Sequence, residues 1–214
     1  MSGRKKLFWL IAAALLAFVG WRIYGIWWSA QDHPSWYHAR DRNPAKALTI
    51  ETPADLTVGS KRFPEGFYDL SIERGTVDTD VGRLKQGQVL RNYFFHEQTT
   101  VNFGGKGRIK LTPARFTQLT FKNNRYPLKN QYGNFTAGKE LPAGNYNVAF
   151  ICRSPQAELM VQTFVSDNEI NETHYLKSGK SSAVSLKRSA TLQLIPNVHA
   201  NDDFHIVISR VGRR

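Results

Sequence analysis

Cys152 is the single thiol of the chain, with Arg153 directly after it and His96 56 residues before it. A cysteine, a base and an arginine are the residue types of a nucleophilic thiol centre. The phase of the local sequence opposes that chemistry. In "NVAFICRSP" Cys152 stands in step with Val148 and Phe150, and with Tyr146 before them, which predicts a small buried hydrophobe on a strand. Metal chemistry finds as little to build on. "FFHEQTT" begins like a zinc-binding helix but lacks a second histidine four residues on, and His96, His174, His199 and His205 are scattered. Asp78, Asp80, Asp202 and Asp203 read as solvated loop acids, and Asp167 and Glu169 flank a turn. The Gly-Lys-Ser of "SGKSSAVS" lacks the upstream glycine of a phosphate loop. No catalytic, metal-binding or cofactor-binding residue is assigned, and the chain reads as a non-enzyme.

What remains is charge. The chain carries a formal +12, and the first thirty residues hold four basic and no acidic residues, so the rest carries +8. Such a surface attracts anionic partners at long range. Arg108 and Lys110 alternate with Ile109 and Leu111 and therefore project from the solvent face of a strand, and Lys187 and Arg188 lie in or just after a comparable strand. Lys122, Arg125 and Lys129 fall in a basic stretch between them. These seven are the candidate contacts for a polyanion, held at several points with salt-sensitive affinity. Lys177, Lys180, Arg210, Arg213 and Arg214 add to the basic population. Any one of these residues would serve as well to keep strand edges from aggregating. The aromatic run "NYFF" at Asn92–Phe95 suits a core better than a platform for sugars or bases.

The elements that carry these residues are strands. After about Ala47, short β-branched and aromatic runs of period two are separated by Gly, Asn, Asp and Pro, and no long 3.6-residue stripe appears. Two stretches are built alike, "VGSKRFPEGFYDLSI" from Val58 and "AGKELPAGNYNVAF" from Ala137. In each, Pro64 or Pro142 sets the first corner of a turn, Gly66 or Gly144 accepts a left-handed backbone as in a G1 bulge, and Tyr68 or Tyr146 opens a strand. The Tyr faces, with Leu70 and Ile72 or Val148 and Phe150, are expected to be buried. Further on, "RIKLTPARFTQL" matches "AVSLKRSATLQL", with Ile109/Val184, Leu111/Leu186 and Leu119/Leu194 in phase. The expectation is two tandem, small, jelly-roll-like β-sandwich modules at 47–125 and 126–214, with "KNNRYPLKNQYGN" as the joint; one larger fused sandwich is the alternative.

Gly138-Lys139-Glu140-Leu141-Pro142-Ala143-Gly144-Asn145-Tyr146 resembles the Gly-x-Asp-Ile-Pro-Ala-Gly-Thr-Tyr signature of small extracytoplasmic β-modules in membrane-anchored or secreted Gram-positive proteins. The copy from Gly59 to Tyr68 resembles it more loosely, with one extra residue between its glycines. The resemblance implies an all-β fold and an extracytoplasmic location, and no shared activity. Sortase-type transpeptidases also combine an N-terminal anchor, a β-barrel and Cys, His and Arg. This chain departs from them, because they present the Cys after a Thr-Leu-x-Thr strand and end soon afterwards, whereas about sixty residues follow Cys152.

Location is read from the N-terminus. Residues 1–6 form a basic tail, 7–28 an apolar run, and 29–46 a polar stalk from which no core is expected. As a helix, Leu7–Trp28 would extend roughly 33 Å, enough for a hydrocarbon core of about 30 Å. Arg22 lies near its end among Trp21, Tyr24, Trp27 and Trp28, where a long side chain reaches the headgroups. Arg4, Lys5 and Lys6 place the N-terminus in the cytoplasm and the remainder outside. A cleaved secretory signal is the competing reading, but no small-x-small site follows the apolar run. One cysteine excludes an intrachain disulfide and fits a bacterial surface protein. The functional expectation is a single-span envelope protein engaging anionic wall polymer or another envelope protein, with nucleic acid disfavoured. The runner-up is an accessory subunit of a larger membrane complex, docked through the span and an exposed sheet edge.

Overall fold

A computed structural model describes residues 40–165, 169–198 and 202–212. The basic tail, the apolar run and the stalk as far as position 39 lie outside the described residues, as do Asp167, His199, Arg213 and Arg214. Among the described residues no helix is long and apolar enough to cross a membrane, and a 3-10 turn at Arg40–Arg42 is the one helical segment.

The rest is β, as the alternating pattern predicts. The strands are β1 (Leu48–Glu51), β2 (Ala54–Thr57), β3 (Gly66–Thr79), β4 (Gly82–Lys85), β5 (Val89–Phe95), β6 (Thr100–Pro113), β7 (Arg125–Lys129), β8 (Gln131–Thr136), β9 (Gly144–Cys152), β10 (Glu158–Phe164), β11 (Ile170–Lys177), β12 (Ser181–Leu186), β13 (Thr191–Asn197) and β14 (Phe204–Arg210). They form two sheets. The larger runs β1-β6-β3-β5-β8-β13-β10-β11, with β2 also on β6 and β4 also on β3; the smaller runs β12-β9-β14-β7. In the second half of the chain the strands divide between the sheets, with only the β10–β11 hairpin consecutive in one of them, so that β8, β13, β10 and β11 face β12, β9, β14 and β7. Leu159, Val161, Leu192 and Leu194 on one side and Tyr146, Val148, Phe150, Ile206 and Ile208 on the other fill the space between them.

The first half is built on two 14-residue strands, β3 and β6, paired along most of their length. Gly75, Gly105 and Gly107 let them coil sharply. A Cβ at Gly75 would lie 2.1 Å from the Lys106 carbonyl oxygen, and one at Gly107 would lie 2.6 Å from that of Arg74. With a register shift between Ile72 and Arg74, the far ends of both strands fold back over β5, so that the Tyr93 hydroxyl donates to the Asp80 carboxylate. Phe63, Tyr68, Phe95 and Phe103 fill the enclosed space, with Phe63 and Phe95 ring centroids 5.0 Å apart.

Two sequence expectations need correction here. The supposed joint from Lys122 to Asn134 contains β7 and β8 and is no linker: Leu128 and Tyr132 are buried, and Pro127 is tolerated because β7 is an edge strand that pairs with β14 alone. Through β8 the two halves share one sheet, since Val89–Arg91 of β5 pair in parallel with Gln131–Gly133. The end of the stalk also belongs to the core. Ala45 is buried, the Asn43 side chain accepts from the Phe67 amide and donates to the Phe67 carbonyl at 2.9 Å each, and Arg40 is buried. Phe67, on the face opposite Tyr68, is therefore covered as completely as Tyr68 itself.

Candidate functional site

The two Pro-Gly-Tyr corners repeat the same hydrogen bonds over a short span. Gly59 and Gly138 have φ of 95° and 91°, and their amides donate to the carbonyls of Phe63 and Leu141. The Tyr68 hydroxyl donates to the Pro64 carbonyl at 2.7 Å, and Tyr146 repeats the bond to Pro142. Burial raises both phenol pKa values, which keeps the hydroxyls protonated as donors. Gly66 and Gly144 have φ of 143° and 153°, positive but far from the left-handed helical value of about 57° that a G1 bulge would need. The later strands do not correspond in the same way. Leu111 pairs with Leu70, whereas Leu186 pairs with Gly144; Leu119 lies outside any strand, whereas Leu194 lies within β13.

Between the corners sits a buried ionic contact. Arg40 pairs with Glu140 of the second corner's loop, and its guanidinium stacks 4.8 Å from the Phe67 ring and 4.9 Å from the Phe116 ring. Glu140 also accepts from the Thr136 amide at 2.6 Å and from Asn92, which is linked to Asn134. Burial pushes the Glu140 carboxyl above the ordinary glutamate range, against the pull of Arg40 and the Thr136 amide. This contact links residues 100 positions apart and has no signal in the sequence.

The seven predicted polyanion contacts fall into three places. Arg108 and Lys110 project from the outer face of β6, opposite buried Ile109 and Leu111, and Lys106 continues their line. Strand geometry spaces the three cations about 7 Å apart. Arg74 of β3 lies beside Arg108, and Glu51 of β1 binds both guanidiniums, Arg74 at 2.8 Å. These two arginines hold the Glu51 carboxyl below its ordinary value. Lys106 and Arg74 escaped the sequence reading, although Lys106 follows the same period of two.

Lys122, Arg125, Lys187 and Arg188 gather at one end of the sandwich. Asn123 and Asn124, both at positive φ, turn the chain so that Lys122 and Arg125 exchange backbone hydrogen bonds, and the Arg210 amide donates to the Asn124 carbonyl. Leu186 pairs with Gly144, and the turn after it, carrying Lys187 and Arg188, binds Ala137 through the Ser189 amide. Lys129 lies at the opposite end of β7, opposite His205.

Cys152 is buried, as its phase predicts, and its amide donates to the Ser178 hydroxyl oxygen at 2.9 Å. His96 is exposed after β5, in a cleft of about 460 Å³ lined also by Asp78, Asp80, Tyr93 and Asn102. Among the described residues no group of three or more His, Cys, Asp or Glu is placed to hold a metal ion.

No family model and no curated protein matches the chain. Among solved structures, the stem and receptor-binding domain of the spike protein P1 from bacteriophage PM2 aligns over 78% of this chain and 96% of that one, at 6% identity and a TM-score of 0.16. A likeness that small bears on neither fold nor function.

Proposed function

We propose that this chain is a membrane-anchored, extracytoplasmic binding or assembly protein of a bacterial cell envelope, without enzymatic activity, that holds anionic wall polymer on a basic β face. The observation that carries the reading is the line of Lys106, Arg108 and Lys110 on β6, flanked by Arg74. A repeat of about 7 Å in cations suits a chain of phosphodiesters better than a compact anion. The apolar run at 7–28 supplies the anchor, the matching corners support two module copies of one type, and the layer order of β7–β14 supports a jelly-roll for the second. In the test, immobilised poly(glycerol phosphate) is offered to the full chain in detergent. Retention at ~50 mM salt and release near ~0.5 M are expected. Joint replacement of Lys106, Arg108 and Lys110 by Gln should weaken retention by roughly tenfold or more. Failure to bind at low salt would remove the reading.

A second reading, an accessory subunit of a membrane complex, is favoured by the outer edge of β11, which pairs with β10 alone and exposes Tyr175. Co-purification of a stoichiometric partner from detergent extracts, lost with a Lys or Pro inserted in that edge, would support it.

A further inference from the structure

We infer that the end of the sandwich bearing Lys122, Arg125, Lys187, Arg188 and Arg210 docks on the anionic headgroups of the membrane that anchors the chain. The inference rests on the reading of residues 7–28 as a membrane span, and adds to it an orientation and a lipid partner.

Three observations converge on this end. The first is where the fold is entered. Arg40 is pinned to Glu140, and Lys139 to Asp41, within the loop that leads to Gly144. Eleven residues, 29–39, separate that point from the apolar run, and a fully extended chain of eleven residues reaches at most about 40 Å. The loop end of the sandwich is thus tethered within about 40 Å of the bilayer, and the far end lies a further β9 length, roughly 30 Å, from the tether point.

The second is charge. At this end Lys122, Arg125, Lys187, Arg188 and Arg210 form no ion pair among the described residues. The carboxylates beside them, Glu140 and Asp41, are already engaged by Arg40 and Lys139. Among the described residues, Glu169 on the β10–β11 connection and Glu172 on β11 are opposing charges at this end. Near an anionic leaflet each free cation favours the docked state by roughly fivefold.

The third is apolar. Phe164 pairs with both Thr191 and Ile170, which places the β10–β11 connection at the same end. Val165 and Ile170 on that connection, and Val211 just after β14, are 40%, 53% and 50% exposed. They are three of the five large hydrophobics exposed among the described residues. Exposed aliphatic tips beside cations at one end match the layered chemistry of a bilayer surface, with acyl chains beneath phosphates. A soluble wall polymer would use the cations and leave the aliphatic tips wet, which is why lipid is the partner assigned here.

The test uses the full chain reconstituted in vesicles of phosphatidylcholine, with or without phosphatidylglycerol. On a Cys152→Ser background, a fluorophore is placed at Arg188→Cys or, at the far end after β9, at Gln156→Cys, and quenched by a headgroup-bound acceptor. In anionic vesicles at low salt the position-188 label should be quenched several-fold more than the position-156 label. The difference should shrink in pure phosphatidylcholine, in high salt, and on joint replacement of Lys122, Arg125, Lys187 and Arg210 by Gln. Equal quenching at the two positions, or a difference indifferent to lipid charge, overturns docking while the span stands. Protein that fails to float with vesicles after a high-salt wash overturns the span, and docking with it. Circular dichroism of each variant separates loss of docking from loss of fold.

Discussion

The first and second corners share a turn and differ in what lies against it. Around Gly144 the space is open: a Cβ there would have only Arg210 Nε for company, at 3.9 Å. Around Gly66 it is closed, since a Cβ would lie 2.6 Å from Asn43 Oδ1 and 3.1 Å from the Ala45 amide nitrogen. The same few residues therefore make a free-standing turn in one half and a docking site for the entry segment in the other. A turn motif specifies its own hydrogen bonds and leaves its surroundings to the rest of the chain.

The entry segment bridges the two corners, so removing its anchor is the harshest way to test the contrast. Arg40→Ala strips the cation from Phe67 and Phe116 and leaves Glu140 buried without its partner. Breaking a buried pair from one side costs about 3–5 kcal/mol. The loss should appear as a lowered midpoint in chemical denaturation of the full chain. Because burial raises the Glu140 pKa, folding takes up protons there, so this carboxyl favours the folded state most below its ordinary value and less as pH rises through the raised one. In Arg40→Ala that loss of stability on raising pH should steepen, and Glu140→Gln should restore part of it.

The glycines give a smaller and more discriminating effect. Gly144→Ala meets only a backbone conformation that alanine avoids, about 1–3 kcal/mol. Gly66→Ala meets the same conformation and must also displace Asn43, whose side chain holds both the amide and the carbonyl of Phe67. Each of those bonds contributes about 0.5–1.5 kcal/mol, so Gly66→Ala should be the costlier by about 1–3 kcal/mol. Equal losses would mean that the entry segment does not press on the first corner.

The contrast also marks how far the sequence could be read. Period two found the buried faces of β3 and β9, and put Cys152 in the core with Phe150, because a strand's inward residues declare themselves locally. The curl of β3 over β6 depends on Gly75 and Gly107 lying across from each other, which is a property of the pairing and cannot be read from either glycine alone. Phe67 looked like an outward residue because its cover, Arg40 and Phe116, comes from two distant segments. Among the candidate contacts, Arg108 and Lys110 were legible from alternation. The gathering of Lys122 and Arg125 with Lys187 and Arg188 was not, since it follows from strand order across the smaller sheet.

The mildest prediction sets the basic line of the first half against the basic end of the second. Beside the β6 line, Glu51 of β1 occupies Arg74 and Arg108, and they hold its carboxyl below the ordinary glutamate range. The sign follows: these pairs are fully formed above the ordinary glutamate value and are lost as pH falls through the lowered one. Protonation then frees both arginines, so binding of poly(glycerol phosphate) should rise as pH falls through that lowered value, by roughly two- to fivefold for exposed pairs of this kind. Glu51→Gln should confer that gain at neutral pH and abolish its pH dependence. Lys187 and Arg188 form no such pair among the described residues, so headgroup quenching at position 188 should not change with Glu51→Gln. A rise in both readouts would show that one continuous surface, and not two, carries the charge.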